Sequence, residues 1–139
     1  MKEKERAGSG LPPVAGRARI LVVEDEAIIA MDLTSTLDRL GWRVIGTAAT
    51  GADSIAQAGA ERPDIVLMDI RLQGPMNGLE AAREIKSRWG IPIIFLTAYG
   101  EDALTERLGP PNGTPRLTKP FDEADLERVL SRYLPGGNN

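Results

Sequence analysis

Short apolar segments alternate with amphipathic segments along most of the chain. Five short segments, the first of them rich in β-branched residues, are predicted to be strands rather than helices. These strands are predicted at residues 19–23, 43–48, 65–68, 91–96 and 116–118. The segments that follow them have helical spacing of apolar residues, and helices are predicted at 27–40, from 50 onward, at 78–89, 101–108 and 122–134. Five strands alternating with five helices predict a parallel sheet covered on both faces.

Residues that commonly begin or end helices lie at the boundaries of the predicted helices. Gly41 follows the first predicted helix, where glycine commonly ends a helix. Thr50 can cap the second helix, and Asp53 suits its first turn. Asp122 can cap the last helix. The sequence Gly-Pro-Pro at 109–111 is expected to stop the short helix 101–108.

The length of 139 residues fits one domain with a full hydrophobic core. Residues 1–17 mix charge with Gly, Ser and Pro and are predicted to form a flexible leader, and residues 135–139 a flexible tail. Residues 18–134 would then form the folded domain. The apolar runs are too short to span a membrane, and the N-terminus lacks the apolar segment of a signal peptide. We therefore expect no contact with a membrane.

Composition excludes several kinds of function. The formal net charge of -3 argues against direct nucleic-acid binding, which needs a basic face. The chain has no cysteine, so disulfides and thiolate metal sites are excluded. It also has no histidine, which excludes Ser-His and Cys-His catalysis, imidazole metal ligands and a role as a phosphohistidine carrier. Any chemistry must use carboxylates, lysine, hydroxyls and the backbone.

Such groups follow four of the predicted strands. Glu24-Asp25-Glu26 follows the first strand, Asp69 the third, Thr97 the fourth and Lys119 the fifth. In an open parallel sheet, ligands bind beyond the carboxyl ends of the strands, near the switch in strand order. We therefore expect these side chains to meet at one edge. Each residue by itself could be an ordinary helix cap or loop residue, but four of the required types at four strand ends favour a functional site.

Carboxylates held close together repel one another unless their pKa values rise or a cation joins them. Oxygen ligands without nitrogen or sulfur favour Mg²⁺, with Mn²⁺ as a second possibility. A lysine can pair with a carboxylate or a phosphate oxygen, and the threonine hydroxyl adds a donor. Together these groups are suited to phosphorylation of an aspartate: a carboxylate nucleophile, a metal to neutralise charge, and donors for the equatorial phosphoryl oxygens.

These residues lie in motifs that resemble the receiver domain of two-component response regulators over residues 19–134. The motifs are ILVVEDE at 20–26, VLMDI at 66–70, NG at 77–78, IIFLTA at 93–98 and TKPF at 118–121. The resemblance implies a flavodoxin-like, doubly wound (βα)5 fold whose five-stranded parallel sheet has the order 2-1-3-4-5. It also implies a bacterial cytoplasmic signalling protein, which assists its own phosphorylation and dephosphorylation but is not a turnover enzyme.

The same resemblance implies a role for each site residue. Asp69 would accept a phosphoryl group from a sensor histidine kinase or a histidine phosphotransfer protein. Asp25, Asp69 and the backbone carbonyl of Arg71 would bind Mg²⁺, and Glu24 would support the ion through water. Thr97 and Lys119 would bind the phosphoryl group, and the Lys119-Pro120 bond would be cis. An unknown downstream protein would receive the signal at the surface of the helix 101–108, the fifth strand and the last helix.

The chain departs from this family at the position three residues before the lysine. Most receivers have a switching aromatic residue there, whereas this chain has Arg116. The usual readout is therefore expected to be absent or rebuilt; Tyr99 is a candidate replacement, although a half-buried loop aromatic is the simpler interpretation. Arg71 and Tyr99 also occupy the positions that tune phosphate lifetime in receivers. Their bulk predicts slow self-dephosphorylation.

The segment 97–121 is similar to the receivers of alphaproteobacterial general-stress-response regulators. Those regulators have a sigma-factor-like domain ahead of the receiver, and no domain of that size fits before Arg19. Since few residues follow the last predicted helix, we expect output through protein contact, onward phosphotransfer or further parts of a larger protein.

Four other functions can be compared with the phospho-acceptor on the sequence. An interaction module that keeps the pocket but works without phosphate is a second hypothesis, motivated by Arg116. A flavodoxin-like binder would need a phosphate-binding loop after the first strand, where the acidic triplet would repel an anion. Haloacid-dehalogenase-like phosphatases need an acid at the position of Arg71. A nucleotide P-loop would need a Gly-rich loop ending in Lys-Ser or Lys-Thr, which the sequence lacks.

Overall fold

The computed structural model describes residues 18–97 and 115–133. The predicted leader 1–17, Tyr99, the helix 101–108, the Gly-Pro-Pro stop and the tail 135–139 lie outside the described residues. The elements are β1 (Arg19–Val23), α1 (Ala27–Arg39), β2 (Arg43–Ala48), α2 (Gly51–Glu61), β3 (Ile65–Asp69), α3 (Gly78–Trp89), β4 (Ile93–Thr97), β5 (Arg116–Thr118) and α4 (Glu123–Tyr133). Within these ranges, no helix is long and apolar enough to cross a membrane.

The five strands form one parallel sheet in the order β2-β1-β3-β4-β5. This confirms the fold class and the strand order 2-1-3-4-5. The chain runs outward from β1 to β2 and then crosses to β3 on the other side of β1. The crevice at the carboxyl ends of β1 and β3 is therefore the switch point at which such sheets bind ligands.

A hydrophobic core lies on each face of the sheet, because alternate strand residues point to opposite faces. On one face, the core joins the strands to α1 and α4 and includes Ile20, Val22, Leu67, Leu96, Leu33, Leu37, Leu126 and Leu130. On the other face, it joins them to α2 and α3 and includes Leu21, Val23, Val66, Met68, Phe95, Ala58, Leu79 and Ile85. Burial on both faces explains why the central strands are almost wholly apolar.

Three of the predicted helix ends, at Gly41, Thr50 and Asp122, are confirmed. Gly41 has a φ of 91° and its N–H donates to the Asp38 carbonyl, while the N–H of Trp42 donates to Leu37, which is a Schellman ending for α1. The Thr50 hydroxyl accepts from the N–H of Asp53 at 3.0 Å. The Asp122 carboxylate accepts from the N–H of Asp125 at 2.8 Å.

Three strand boundaries, in two strands, differ from those predicted. The predicted strand 91–96 begins only at Ile93, because Pro92 has no N–H to donate to the sheet. Asp69 and Thr97, predicted to follow strands, are instead the last residues of β3 and β4. The ladder continues past the apolar residues because it uses backbone groups: the N–H of Lys119 donates to the Thr97 carbonyl at 2.7 Å. Both side chains still lie at the carboxyl edge.

Gly78, the first residue of α3, lies against the end of β3. Its N–H donates to the Ile70 carbonyl at 2.7 Å. A Cβ atom at this position would overlap the Asp69 carbonyl oxygen and lie 2.8 Å from the Ile70 Cα. Asn77 anchors the helix start with a capping box, since its side chain accepts from the N–H of Glu80 at 2.9 Å and the Glu80 carboxylate accepts from the N–H of Asn77 at 2.9 Å. The Asn-Gly pair therefore fixes the backbone that carries Asp69.

Replacing Gly78 with alanine should lower the free energy of unfolding by about 1–3 kcal/mol, because the added methyl group meets rigid backbone. Urea unfolding followed by circular dichroism would measure it. Gly46→Ala is the matched control, since the closest atom to its Cβ would be Oε1 at the flexible end of the Gln57 side chain, 2.6 Å away. Equal stability of the two variants would contradict this account of Gly78.

Candidate functional site

The predicted site residues meet at the carboxyl edge of the sheet. Glu24 and Asp25 directly follow β1, Asp69 ends β3, and Lys119 directly follows β5. Carboxylate oxygens of Glu24, Asp25 and Asp69 lie within 4.8 Å of one another. Glu24 and Asp69 are only 3% and 5% exposed, and Asp25 is half-buried. Three carboxylates thus share one small volume, and two of them have little access to solvent.

Lys119 is the cation that faces this cluster. Its Nζ lies 3.1 Å from Glu24 Oε1 and 3.2 Å from Asp69 Oδ2. The remaining oxygens accept backbone hydrogen bonds: Glu24 Oε2 from the N–H of Glu26 at 3.1 Å, and Asp69 Oδ1 from the N–H of Arg71 at 3.1 Å. One lysine therefore bridges acids that lie 95 and 50 residues from it in the sequence.

Lys119 does not fully offset the influences that raise the pKa of Asp69. Burial of the carboxyl group is the largest influence and raises its pKa; the nearby lysine lowers it, and Glu24 raises it again. The result is a pKa raised from the ordinary 3.8 to about 7. Burial alone would lower the pKa of Lys119, but the negative charges of Asp69 and Glu24 raise it above its ordinary value. The lysine is therefore held charged, and the pocket favours additional positive charge.

Thr97 lies beside this cluster with its side chain fully buried. Among the described contacts, its hydroxyl meets the Thr118 hydroxyl at 3.5 Å, a long distance for a hydrogen bond. The two threonines are direct partners in the pairing of β4 with β5. Arg116 lies two residues earlier on β5 and is exposed. The structure thus places Thr97 at the predicted edge and Arg116 on the outside of the edge strand.

The structure describes some of the remaining predicted features and not others. The Lys119-Pro120 bond is cis, which confirms the prediction. Arg71 contacts the site through its backbone N–H, which donates to Asp69, and its side chain is exposed. Tyr99 lies outside the described residues, so its tuning role stays a prediction. The sequence did not predict the direct contact of Glu24 with Lys119, nor the part that Gly78 plays; the pattern Asn77-x-x-Glu80 is a capping-box signal that could have indicated the latter.

The donor set fits a hard divalent cation. All three clustered side chains offer oxygen ligands, and two of them are buried, which makes repulsion between their charges strong. Mg²⁺ prefers a few carboxylates and keeps several waters, which suits a site that half-buried Asp25 leaves open on one side. The residues present therefore fit the ion expected from the sequence.

The chain belongs to the response regulator receiver domain family, whose model matches residues 20–131. It is similar to the transcriptional regulatory protein PdtaR of Mycobacterium tuberculosis, with 37% identity over 119 residues, 83% of this chain and 58% of that protein. It is also similar to the phyllosphere-induced regulator PhyR of Methylorubrum extorquens, with 39% identity over 117 residues, 83% of this chain and 43% of that protein. The chain thus spans about half the length of these relatives.

Solved structures support the same assignment. The receiver domain of Erythrobacter litoralis PhyR aligns with a TM-score of 0.75 at 33% identity, covering 89% of this chain and 96% of that domain. The receiver domain of the histidine kinase PA1611 from Pseudomonas aeruginosa aligns with a TM-score of 0.72 at 36% identity, covering 84% of this chain and 97% of that one. That structure has a magnesium ion coordinated in its active-site cleft. Receiver domains act in two-component signalling, and they are generally not turnover enzymes.

The raised pKa of Asp69 makes cation binding dependent on pH. Below about pH 7 a proton occupies the carboxyl group and must leave before Mg²⁺ binds. We expect the Mg²⁺ affinity to fall roughly tenfold per pH unit below that value and to level off above it. Calorimetric titration of Mg²⁺ between pH 5.5 and about 8.5 would measure this profile. Asp69→Asn should bind weakly and lose the profile, whereas a constant affinity of the unmodified protein would contradict the assignment.

Proposed function

We propose that Asp69 accepts a phosphoryl group from a phosphohistidine of a partner protein and that this phosphorylation is the signalling event. The observation that carries the proposal is the buried carboxylate of Asp69 at the switch point, with Lys119 Nζ 3.2 Å away and two further acids beside it. Membership in the receiver family supports the same chemistry.

Phosphoryl transfer to Asp69 exchanges one bond at phosphorus for another. A carboxylate oxygen of Asp69 attacks phosphorus, a P–O bond forms, the P–N bond of the donor breaks, and the imidazole leaves and takes up a proton. Asp69 must be unprotonated to attack, and its pKa of about 7 places that requirement near neutral pH. The N–H of Arg71 holds Oδ1 at 3.1 Å and so fixes the rotation of the carboxylate.

Charge stabilisation comes from the groups around the acceptor. Mg²⁺ held by Asp25, Asp69 and the Arg71 carbonyl, with Glu24 behind it, would neutralise charge on the phosphoryl oxygens. Mn²⁺ has similar ligand preferences and could replace it. Lys119 lies within reach of Asp69 and would exchange a carboxylate contact for a phosphoryl oxygen. Thr97 would turn its hydroxyl from Thr118 toward the same group.

The signal would pass to a downstream protein by contact. A sensor histidine kinase or a histidine phosphotransfer protein is the proposed donor, and phosphorylation would shift an equilibrium between two conformations. Because the curated relatives are longer than this chain, their whole-protein activities do not transfer with the domain. The phosphate-independent interaction module remains the contrasting hypothesis, motivated by Arg116, and the family comparison does not favour it.

Asp69→Asn should abolish phosphorylation, since the amide lacks the nucleophilic charge. Incubation with acetyl phosphate and Mg²⁺, followed by intact mass measurement, should show a gain of one phosphoryl group in the unmodified protein and none in the variant. Asp32→Asn is the control. Asp32 is exposed on α1, so this substitution removes the same charge at a position away from the acceptor. A phosphorylated Asp69→Asn protein would refute the proposed acceptor.

We further expect the phosphorylated protein to lose its phosphate slowly, over minutes or longer, because the side chains at 71 and 99 would crowd the path of the attacking water. Arg71→Ala should shorten the lifetime severalfold, while Lys86→Ala, at the far end of α3, should not change it. Loss of radiolabel from each purified phosphoprotein measures the dephosphorylation rate of the unmodified protein and of the two variants. Loss within seconds in the unmodified protein would contradict the prediction.

A further inference from the structure

The loop between β3 and α3 directly follows the acceptor, and its two ends adjoin each other. The carbonyl of Ile70 accepts from the N–H of Gly78 at 2.7 Å, so residues 70–78 form a closed surface loop. Near the start of this loop, the N–H of Arg71 donates to Asp69 Oδ1 at 3.1 Å. The backbone of the loop therefore sets the rotation of the acceptor carboxylate.

The middle of this loop rests on the N-terminal end of α2. Gln73 pairs with Thr50 in an isolated parallel bridge, and Met76 packs against the hydrophobic core that joins the sheet to α2 and α3. Met76 also meets Gly51, the first residue of α2, at very short range. A Cβ atom built on Gly51 would lie 2.9 Å from both Cγ and Sδ of Met76 and 3.1 Å from its Cβ. The loop thus fits against α2 because residue 51 has no side chain.

Gly51 is held in place by its own helix. It is buried, and the hydroxyl of Ser54, which is itself fully buried, donates to its carbonyl at 2.7 Å. The hydroxyl of Thr50 fixes the same turn by accepting from the N–H of Asp53 at 3.0 Å. Because this turn is bonded on both sides, any displacement between Gly51 and Met76 would be taken up by the loop.

We propose that Met76, seated against Gly51, is a positioning residue for the acceptor site. Its contact with α2 keeps the loop from shifting, so that the N–H of Arg71 orients Asp69 and the Arg71 carbonyl is available to Mg²⁺. The inference rests on the function proposed above, which assigns the ion to Asp25, Asp69 and this carbonyl. A thioether is a poor ligand for Mg²⁺, so Met76 acts through the loop and not on the ion itself.

Gly59 provides a matched control in the same helix. It lies about 12 Å beyond Gly51 along α2, at the 1.5 Å rise per residue of a helix. A Cβ atom there would lie 2.7 and 2.9 Å from two ring carbons of Trp89, the last residue of α3. Gly59→Ala thus adds the same methyl group against a side chain at the far end of α3 instead of in the loop. Both substitutions should lower stability, and only Gly51→Ala should disturb the acceptor site.

The experiment measures Mg²⁺ binding by the unphosphorylated protein, in calorimetric titrations with the metal alone. Met76→Ala and Gly51→Ala should each weaken binding about tenfold, the lower end of the effect of losing a group that orients a metal ligand. The double variant should bind no more weakly than the poorer single variant, because both substitutions act on one contact. Met76→Leu keeps an apolar side chain of similar volume and should bind as the unmodified protein does, as should Gly59→Ala.

A second measurement needs no metal. In NMR spectra recorded without Mg²⁺, the amide signal of Arg71 reports its hydrogen bond to Asp69. We expect this signal to shift, and its proton to exchange faster, in Met76→Ala, whereas Met76→Leu and Gly59→Ala should leave it unchanged. Circular dichroism tests whether each variant folds. If Gly51→Ala does not fold, Met76→Ala and Met76→Leu decide the question by themselves.

Three results would overturn the positioning role of Met76. The first is an unchanged Mg²⁺ affinity in Met76→Ala. The second is an equal loss in Gly59→Ala, which would reflect general destabilisation. The third is a double variant in which the two losses multiply, because they would then come from separate contacts. An unmodified protein that binds no Mg²⁺, or that acetyl phosphate does not phosphorylate on Asp69, would instead overturn the proposed function.

Discussion

The contact of Lys119 with Glu24 and Asp69 is the interaction on which the site depends. Three carboxylates within 4.8 Å of one another would repel strongly if nothing of opposite charge lay between them. The lysine at 3.1 and 3.2 Å offsets part of that repulsion, but burial of the carboxyl group, together with the charge of Glu24, still raises the pKa of Asp69. The pocket is thus left short of positive charge, and a divalent cation would meet that need.

The fold holds these charges together by ordinary packing. β1 and β3 are fixed by hydrophobic cores on both faces of the sheet, and β5 is held by Leu117 in one of them, so the residues at their carboxyl ends have little freedom to separate. Gly78 brings the start of α3 against the end of β3, and the Asn77 capping box fixes that start. The stability of the apolar sheet therefore maintains an arrangement of charges that is unfavourable in itself.

The sequence by itself determined the fold class, the approximate strands and which of the described polar residues lie at the carboxyl edge, because parallel strands buried on both faces leave clear apolar runs and place the following polar residues at one edge. It also indicated the caps at Thr50 and Asp122, since capping depends on neighbouring residues. Only the tertiary structure decided the bridge from Lys119 to Glu24, the contact of the Trp42 indole with Glu127 at 2.7 Å, and the close approach of Gly78 to β3. Those contacts join residues far apart in the chain, and their geometry depends on how the packed elements lie against one another.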